Sequence, residues 1–366
     1  MKSNNLIDIL KNPPPVGKPV ILPDFFLDHF LISGSLEDFI EALRKMASQG
    51  GGNLMGTTQF IRRGGNSANV AAALHKLGVE SILIVTTDAY GKQILQSLID
   101  SDFNLDYIHD DGALSSTVSI EVEHNGRRVN LMVSDSGSAA RFSFEQLTEK
   151  DLKAISKSQI IVLENLNHNK EGVNLARDLF TYARNHSKAS TFMDTGDPSG
   201  DPEKIIGLVK SVVHEGLVDI LSVNENESAW FAWALDNRAQ HWRDAVRNPE
   251  CWMDTAKFLS GETGVRVDLH TPYYSATIED DSVVAIPTFK VDSKILCGAG
   301  DAWNAGDIFG EIFGLTKKDR LLFANSVAAL YVSQGTAEHP TRKDVITFLN
   351  DMPPKAVEAA KLLKFK

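Results

Sequence analysis

The run Cys297-Gly298-Ala299-Gly300-Asp301-Ala302-Trp303-Asn304-Ala305-Gly306-Asp307 sets two glycines and a carboxylate at the onset of a small-residue helix expected from about Ala302. Glycine permits a tight turn and close approach by a ligand, while the free N–H groups and dipole of a helix start favour an anion. An anionic group beside a carboxylate base is the pairing that phosphoryl transfer uses. A plain helix N-terminus with Asp301 as its cap explains the same residues. Two other glycine motifs do not fit. A dinucleotide fingerprint needs G-x-G-x-x-G after a first strand, and Gly306 gives the wrong third spacing. A P-loop needs a lysine that is missing here, so a dehydrogenase or P-loop enzyme is not expected.

Upstream of this turn the chain alternates buried strands and amphipathic helices. Val20-Ile21-Leu22, Ile82 to Val85, Ile160 to Leu163, Thr191 to Met193 and Ile220 to Val223 read as strands. Leu36 to Met46, Asn66 to Leu77, Ile94 to Ile99, Val173 to Arg184 and Ile205 to Val213 read as helices, with further helices over Leu321 to Val332 and Arg342 to Leu349. Such alternation predicts an α/β fold with a mostly parallel sheet covered by helices on both faces. Thr117 to Val122 and Arg128 to Val133 break the pattern. They alternate in polarity around Asn125-Gly126, which predicts a hairpin. That hairpin is either a lid or an antiparallel extension of the main sheet. Tyr274 to Ile278 and Val283 to Phe289 form a second strand-rich stretch before the glycine turn, and no linker divides the 366 residues into separate domains.

Composition narrows the function classes. The chain has 43% hydrophobic residues, enough for a substantial core, and a formal net charge of -11. That balance argues against nucleic acid or anionic lipid as the primary partner, because phosphate neutralisation needs a basic surface. Two cysteines, Cys251 and Cys297, suggest neither a zinc site nor a disulfide framework. With no apolar run of about 18 residues and no signal-peptide pattern, the expectation is a cytoplasmic protein off the membrane.

Two further motifs stand at places where open α/β sheets bind ligands. Arg63-Gly64-Gly65-Asn66-Ser67-Ala68-Asn69 joins two glycines to two amides ahead of an alanine-rich helix, an arrangement suited to a polyhydroxylated ligand. Asn224-Glu225-Asn226-Glu227 follows a buried strand and holds an amide and a carboxylate three residues apart, which a helix cap would also explain.

In this order the three motifs resemble the PfkB carbohydrate kinases, the ribokinase-like family, over about residues 20 to 350. The resemblance implies a three-layer α/β/α sandwich with a small β lid, its strands near 20–35 and 115–135, and an inserted helical segment near 33–59. It implies transfer of the γ-phosphoryl group of ATP to an alcohol of a sugar, sugar derivative, cyclitol or nucleoside. Asp301 would then be the general base, and the backbone of Gly298, Ala299 and Gly300 the anion hole. Asp28 would bind acceptor hydroxyls, with Asp24 a competitor, together with Gly64, Gly65, Asn66, Asn69 and, at a strand end, Glu164. Asn224, Asn325 and Gly335 would lie near the nucleotide, and Glu227 would act on Mg²⁺, or another divalent cation, through water. For Glu164 simple solvation, and for Asn325 helix packing, are the competing readings.

The chain departs from the family pattern in four places. Lys294-Ile295-Leu296-Cys297 lengthens the approach to the glycine turn, which leaves open whether the family's monovalent-cation site is present. Leu269-His270-Thr271-Pro272 replaces the usual nucleotide turn, Asn66 stands where ribokinase has lysine, and Cys297 takes a threonine place as a small packing residue rather than a nucleophile. A lid hairpin also offers an edge for a homodimer. The alternative to an enzyme is a ligand-binding or regulatory protein that keeps the kinase fold without turnover.

Overall fold

The computed structural model describes residues 4–351; residues 1–3 and 352–366 of the expected unit lie outside it. Runs of β-branched and aliphatic residues make the strands of an eight-stranded sheet. Its order is Ser282–Pro287, Tyr274–Glu279, Arg266–His270, Ile220–Val223, Ser190–Asp194, Ile160–Glu164, Val20–Leu22 and Ile82–Leu83. The six strands from Arg266–His270 to Ile82–Leu83 are parallel, and the other two join antiparallel at one edge.

Side chains of a strand alternate between faces. Ile21, Val162, Phe192 and Ile220 therefore enter one apolar core, and Leu22, Leu163, Met193 and Leu221 enter the other. Helices cover both cores, as near-continuous apolar parallel strands require.

The hairpin is not an extension of the main sheet. Ser116–His124 pairs antiparallel with Arg127–Asp135 through the two-residue turn Asn125-Gly126, both residues having positive φ. These strands join Phe26–Ser35 and Thr58–Gly64 in a separate four-stranded sheet. Two boundaries are thereby corrected. Val20–Leu22 belongs to the main sheet, and only from Phe26 does the chain enter the smaller one; the inserted helix spans Leu36–Ser48, between two strands of that sheet.

The helix of the opening motif runs over Ala299–Ile312, three residues earlier than expected, because only Gly298 has positive φ (83°) and Gly300 is already helical. It packs closely on the Lys317–Ser333 helix: a Cβ at Gly306 would lie 2.6 Å from Ala324 Cα. Gly306→Ala should therefore cost about 1–3 kcal/mol through overpacking against backbone, read as a lower midpoint in urea unfolding. The far half of the helix is fixed by buried charge. Arg320 donates to Asp307, to both oxygens of Asp268 (2.8 and 3.1 Å) and to Thr277 Oγ1 (2.6 Å), while Arg266 bridges Asp268 and Glu311. Although burial acts in the other direction, Arg266 and Arg320 hold the Asp268 carboxyl well below the usual carboxylate range.

Candidate active site

The C-terminal ends of the parallel strands and the inner face of the smaller sheet enclose a cavity of about 650 Å³. Asp28, Gly65, Asn66, Asn69, Asn224, Glu227, Gly298, Gly300 and Asp301 all line it, so residues more than 270 positions apart in sequence meet in one place. A second cavity of about 490 Å³ adjoins it at Asn224, His270 and Gly300, walled by Pro272, Phe289, Val291, Leu296, Ala299, Trp303 and Asn325.

Asp301 sits in the first turn of its helix, 6% exposed, and its Oδ2 accepts from Asn69 Nδ2 at 2.8 Å. Asn69 Oδ1 in turn accepts from Arg63 Nε at 3.2 Å, a relay that orients the amide. Burial pushes the Asp301 carboxyl up to about 7; Asp194 and Asp24 push the same way, and the Asn69 bond and Arg63 only partly oppose them. A carboxyl poised near neutrality in a cavity has the acidity a general base needs.

The Gly298 turn leaves no room for a side chain: a Cβ there would collide with Tyr331 Oη, which donates to Cys297 C=O at 2.8 Å. Ala299 N–H is already bonded to Leu296 C=O at 3.1 Å, which takes it out of the expected donor set. The donors that a helix start leaves without intrahelical partners are then those of Gly300 and Asp301, beside Gly298 N–H. Cys297 is exposed rather than packed.

Asp28 and Asp24 separate cleanly. Asp24 is fully buried, and its carboxylate accepts from Asn66 N–H (3.1 Å), Ser67 N–H (2.9 Å) and Asn165 Nδ2 (2.7 Å), so it serves the start of the Asn66–Lys76 helix. Asp28 is half-buried on the cavity wall, and burial followed by the Asp24 charge pushes it up to about 6. Gly64 makes room for it, since a Cβ there would collide with the Asp28 carboxyl. Gly65 has φ 86°, and a Cβ there would lie 2.9 Å from Phe25 Cα and 3.0 Å from Asp24 C=O and Phe26 N.

Glu164 and Gly335 stand off the two cavities, and Asn325 lines one of them with its amide already engaged. Glu164 is fully buried and lies at 3.4 Å from Asn304 Nδ2, behind the wall instead of on it and not solvated. Gly335 lines neither of these two cavities; its carbonyl accepts from Arg62 at 3.4 Å. Asn325 does line the second cavity, but its amide is committed to packing, accepting from Trp303 Nε1 at 2.9 Å and donating to Pro287 C=O at 3.3 Å.

Asn224 and Glu227 combine both of their readings. Asn224 Oδ1 caps the N–H groups of Asn226 and Glu227, and Glu227 Oε2 accepts from Asn224 N–H at 2.8 Å, a capping box. The second Glu227 oxygen has no part in the cap. Burial, followed by the Asp194 charge, raises the Glu227 carboxyl well above its usual value.

Two neighbours were not anticipated as site residues. Asp194 and His270 end the strands on either side of Ile220–Val223, and one ligand atom from each, with one from Glu227, lies within 4.8 Å of the others. His270 Nε2 is buried without a hydrogen-bond partner, 3.8 Å from Asp194 Oδ2. Two carboxylates and an imidazole nitrogen in this arrangement fit a divalent cation. The strand-end position that drew attention to Glu164 and Asn224 would also have found both.

Against known sequences, the pfkB family carbohydrate kinase pattern matches residues 31–344. The chain belongs to the pfkB carbohydrate kinase family. As a member it is a sugar or nucleoside kinase with a ribokinase-like fold. Ribokinase of Arabidopsis thaliana, solved with ribose and ATP, superimposes with a TM-score of 0.66 at 18% identity, covering 96% of this chain and 100% of that one. Adenosine kinase of Sinorhizobium meliloti gives 0.64 at 14%, over 92% and 99%. Phosphofructokinase-2 of Escherichia coli in complex with potassium gives 0.65 at 15%, over 92% and 100%. No curated protein matches the chain. Among the described residues no helix is long and apolar enough to cross a membrane.

Proposed function

We propose that this pfkB-family chain transfers the γ-phosphoryl group of ATP to an alcohol of a small polyhydroxylated acceptor, a sugar, sugar derivative, cyclitol or nucleoside. The observation that carries the reading is the placement of two carboxyls, Asp301 and Asp28, in one cavity with the Gly298 turn, directly beside a second, more apolar cavity. The acceptor occupies the first cavity, where Asp28, Asn66 and Asn69 bind its hydroxyls. The adenine and ribose occupy the second, against Phe289, Val291 and Trp303. Their phosphates cross the shared wall at Gly300, within reach of the N–H groups of Gly298, Gly300 and Asp301.

In this geometry Asp301 takes the proton of the attacking hydroxyl, and the turn stabilises charge on the transferring group. Glu227, Asp194 and His270 would hold the divalent cation, which when bound neutralises phosphate charge. The four-stranded sheet acts as the lid that excludes water. Exposed Val118, Leu131 and Val133 on it support a homodimer through that sheet.

ADP release measured over a panel of sugars, cyclitols and nucleosides, with ATP and GTP as donors, tests the reading. Saturable acceptor binding without ADP release on any member would identify a binding protein instead. Asp28→Asn should raise the acceptor KM about 10- to 100-fold, the loss expected for a hydrogen bond to a charged group, with the ATP KM unchanged. An unaltered acceptor KM in steady-state kinetics would remove Asp28 from that role.

A further inference from the structure

We propose that His270, with Asp194 and Glu227, forms an inner-sphere site that binds a transition-metal dication in the absence of nucleotide and favours Mn²⁺ over Mg²⁺. The three residues come from three adjacent parallel strands: Asp194 ends one, His270 ends another, and Glu227 lies in the first helical turn after the strand between them. Their ligand atoms lie within 4.8 Å of one another, a separation that a single ion contacting all three closes with small side-chain movements. Asp194 and Glu227 are nearly fully buried.

Each ligand is held by its own support, as metal ligands usually are. Asp194 Oδ2 accepts from Asn304 Nδ2 at 2.7 Å and its Oδ1 from Gly196 N–H at 2.8 Å. Glu227 is fixed through the Asn224 cap. The His270 ring stacks on Trp303, centroids 4.9 Å apart at 27°, which aims Nε2 at the carboxylates. A buried imidazole nitrogen without a partner is costly unless something binds it, and here its neighbours are two carboxylates that are themselves short of a cation. Asp301 lines the same cavity, and Arg63 interacts with it.

Imidazole decides the class of ion. Mg²⁺ prefers oxygen ligands and keeps its waters, whereas nitrogen donors favour Mn²⁺, Co²⁺ and Zn²⁺. This inference relies on the kinase reading only for the ion's place beside the donor cavity. The site itself is tested with neither nucleotide nor acceptor present, so the two can fail separately.

The full-length protein is titrated with Mn²⁺ alone and followed by pulsed electron paramagnetic resonance. Nitrogen modulation from one directly bound imidazole is expected, with Mn²⁺ held at least about tenfold more tightly than Mg²⁺ in competition. His270→Ala should abolish that modulation and weaken Mn²⁺ roughly 10- to 100-fold, with an unchanged thermal midpoint as the check on folding. Mn²⁺ bound by the unaltered protein without nitrogen modulation overturns the proposal, as does equal affinity for the two ions. The modulation in a protein that phosphorylates no acceptor would uphold the site and defeat the kinase reading. Turnover with no nitrogen coordination would do the reverse.

Discussion

Asp301→Asn should lower kcat by on the order of 10² to 10⁴, the loss expected when a general base is removed, while ATP binding measured by calorimetry stays within about threefold. The amide keeps the volume and a partner for Asn69 but cannot accept the hydroxyl proton. For the unaltered enzyme, kcat/KM should rise with pH and level off above about 7, because the base works as the carboxylate and burial pushes it up to about 7. Stability should move the opposite way. With the folded value above the unfolded one, the neutral form favours the folded state, so this contribution is complete below about pH 4 and is lost as pH rises through about 7. Asp301→Asn removes that loss and should stabilise the protein at pH 8 by on the order of 2–4 kcal/mol, seen as a higher thermal midpoint. A variant with full turnover, or one less stable at pH 8, would show that the carboxyl is not the strained base described.

Gly298→Ala should be nearly as damaging to activity. Residue 298 has φ 83°, where a side chain is disfavoured by about 1 kcal/mol or more, and the new methyl would collide with Tyr331 Oη. Relieving that contact means shifting either the turn or the tyrosine that bonds Cys297 C=O. Since the turn aims the backbone donors, kcat/KM should fall by about 10² to 10³, the range for a lost oxyanion donor. Circular dichroism should stay close to that of the parent, because the rest of the helix remains packed. Activity within about threefold of the parent would show that these N–H groups do not contact the transferring group.

Asn125-Gly126 located the hairpin because both residues tolerate positive φ and the flanking strands alternate in polarity. The parallel strands were legible because burial on both faces leaves continuous apolar runs. Thr58–Gly64 was not: it carries two arginines, and Arg62 lies over the Phe30 and Phe60 rings, so its pairing with Phe26–Ser35 depends on contacts made far along the chain. Asp28 could not be told from Asp24 by spacing. What separates them is three hydrogen bonds that tie Asp24 to the Asn66 helix and to Asn165. In sequence His270 shows only as a departure from a nucleotide turn, because Asp194 and Glu227 meet it only when the strands are laid side by side.

The Arg320 network has a mechanical consequence. Asp307 lies about 9 Å along the helix from Asp301, at 1.5 Å per residue, and is clamped to strand residues of the main sheet through Arg320 and Asp268. Turning or sliding that helix would first have to break buried ion pairs, which costs several kcal/mol. Asp301, the proposed base, is thus a stationary reference point bolted to the main sheet. Whatever travel is needed to bring donor and acceptor into line has to be made by the substrates and by the smaller sheet that covers them.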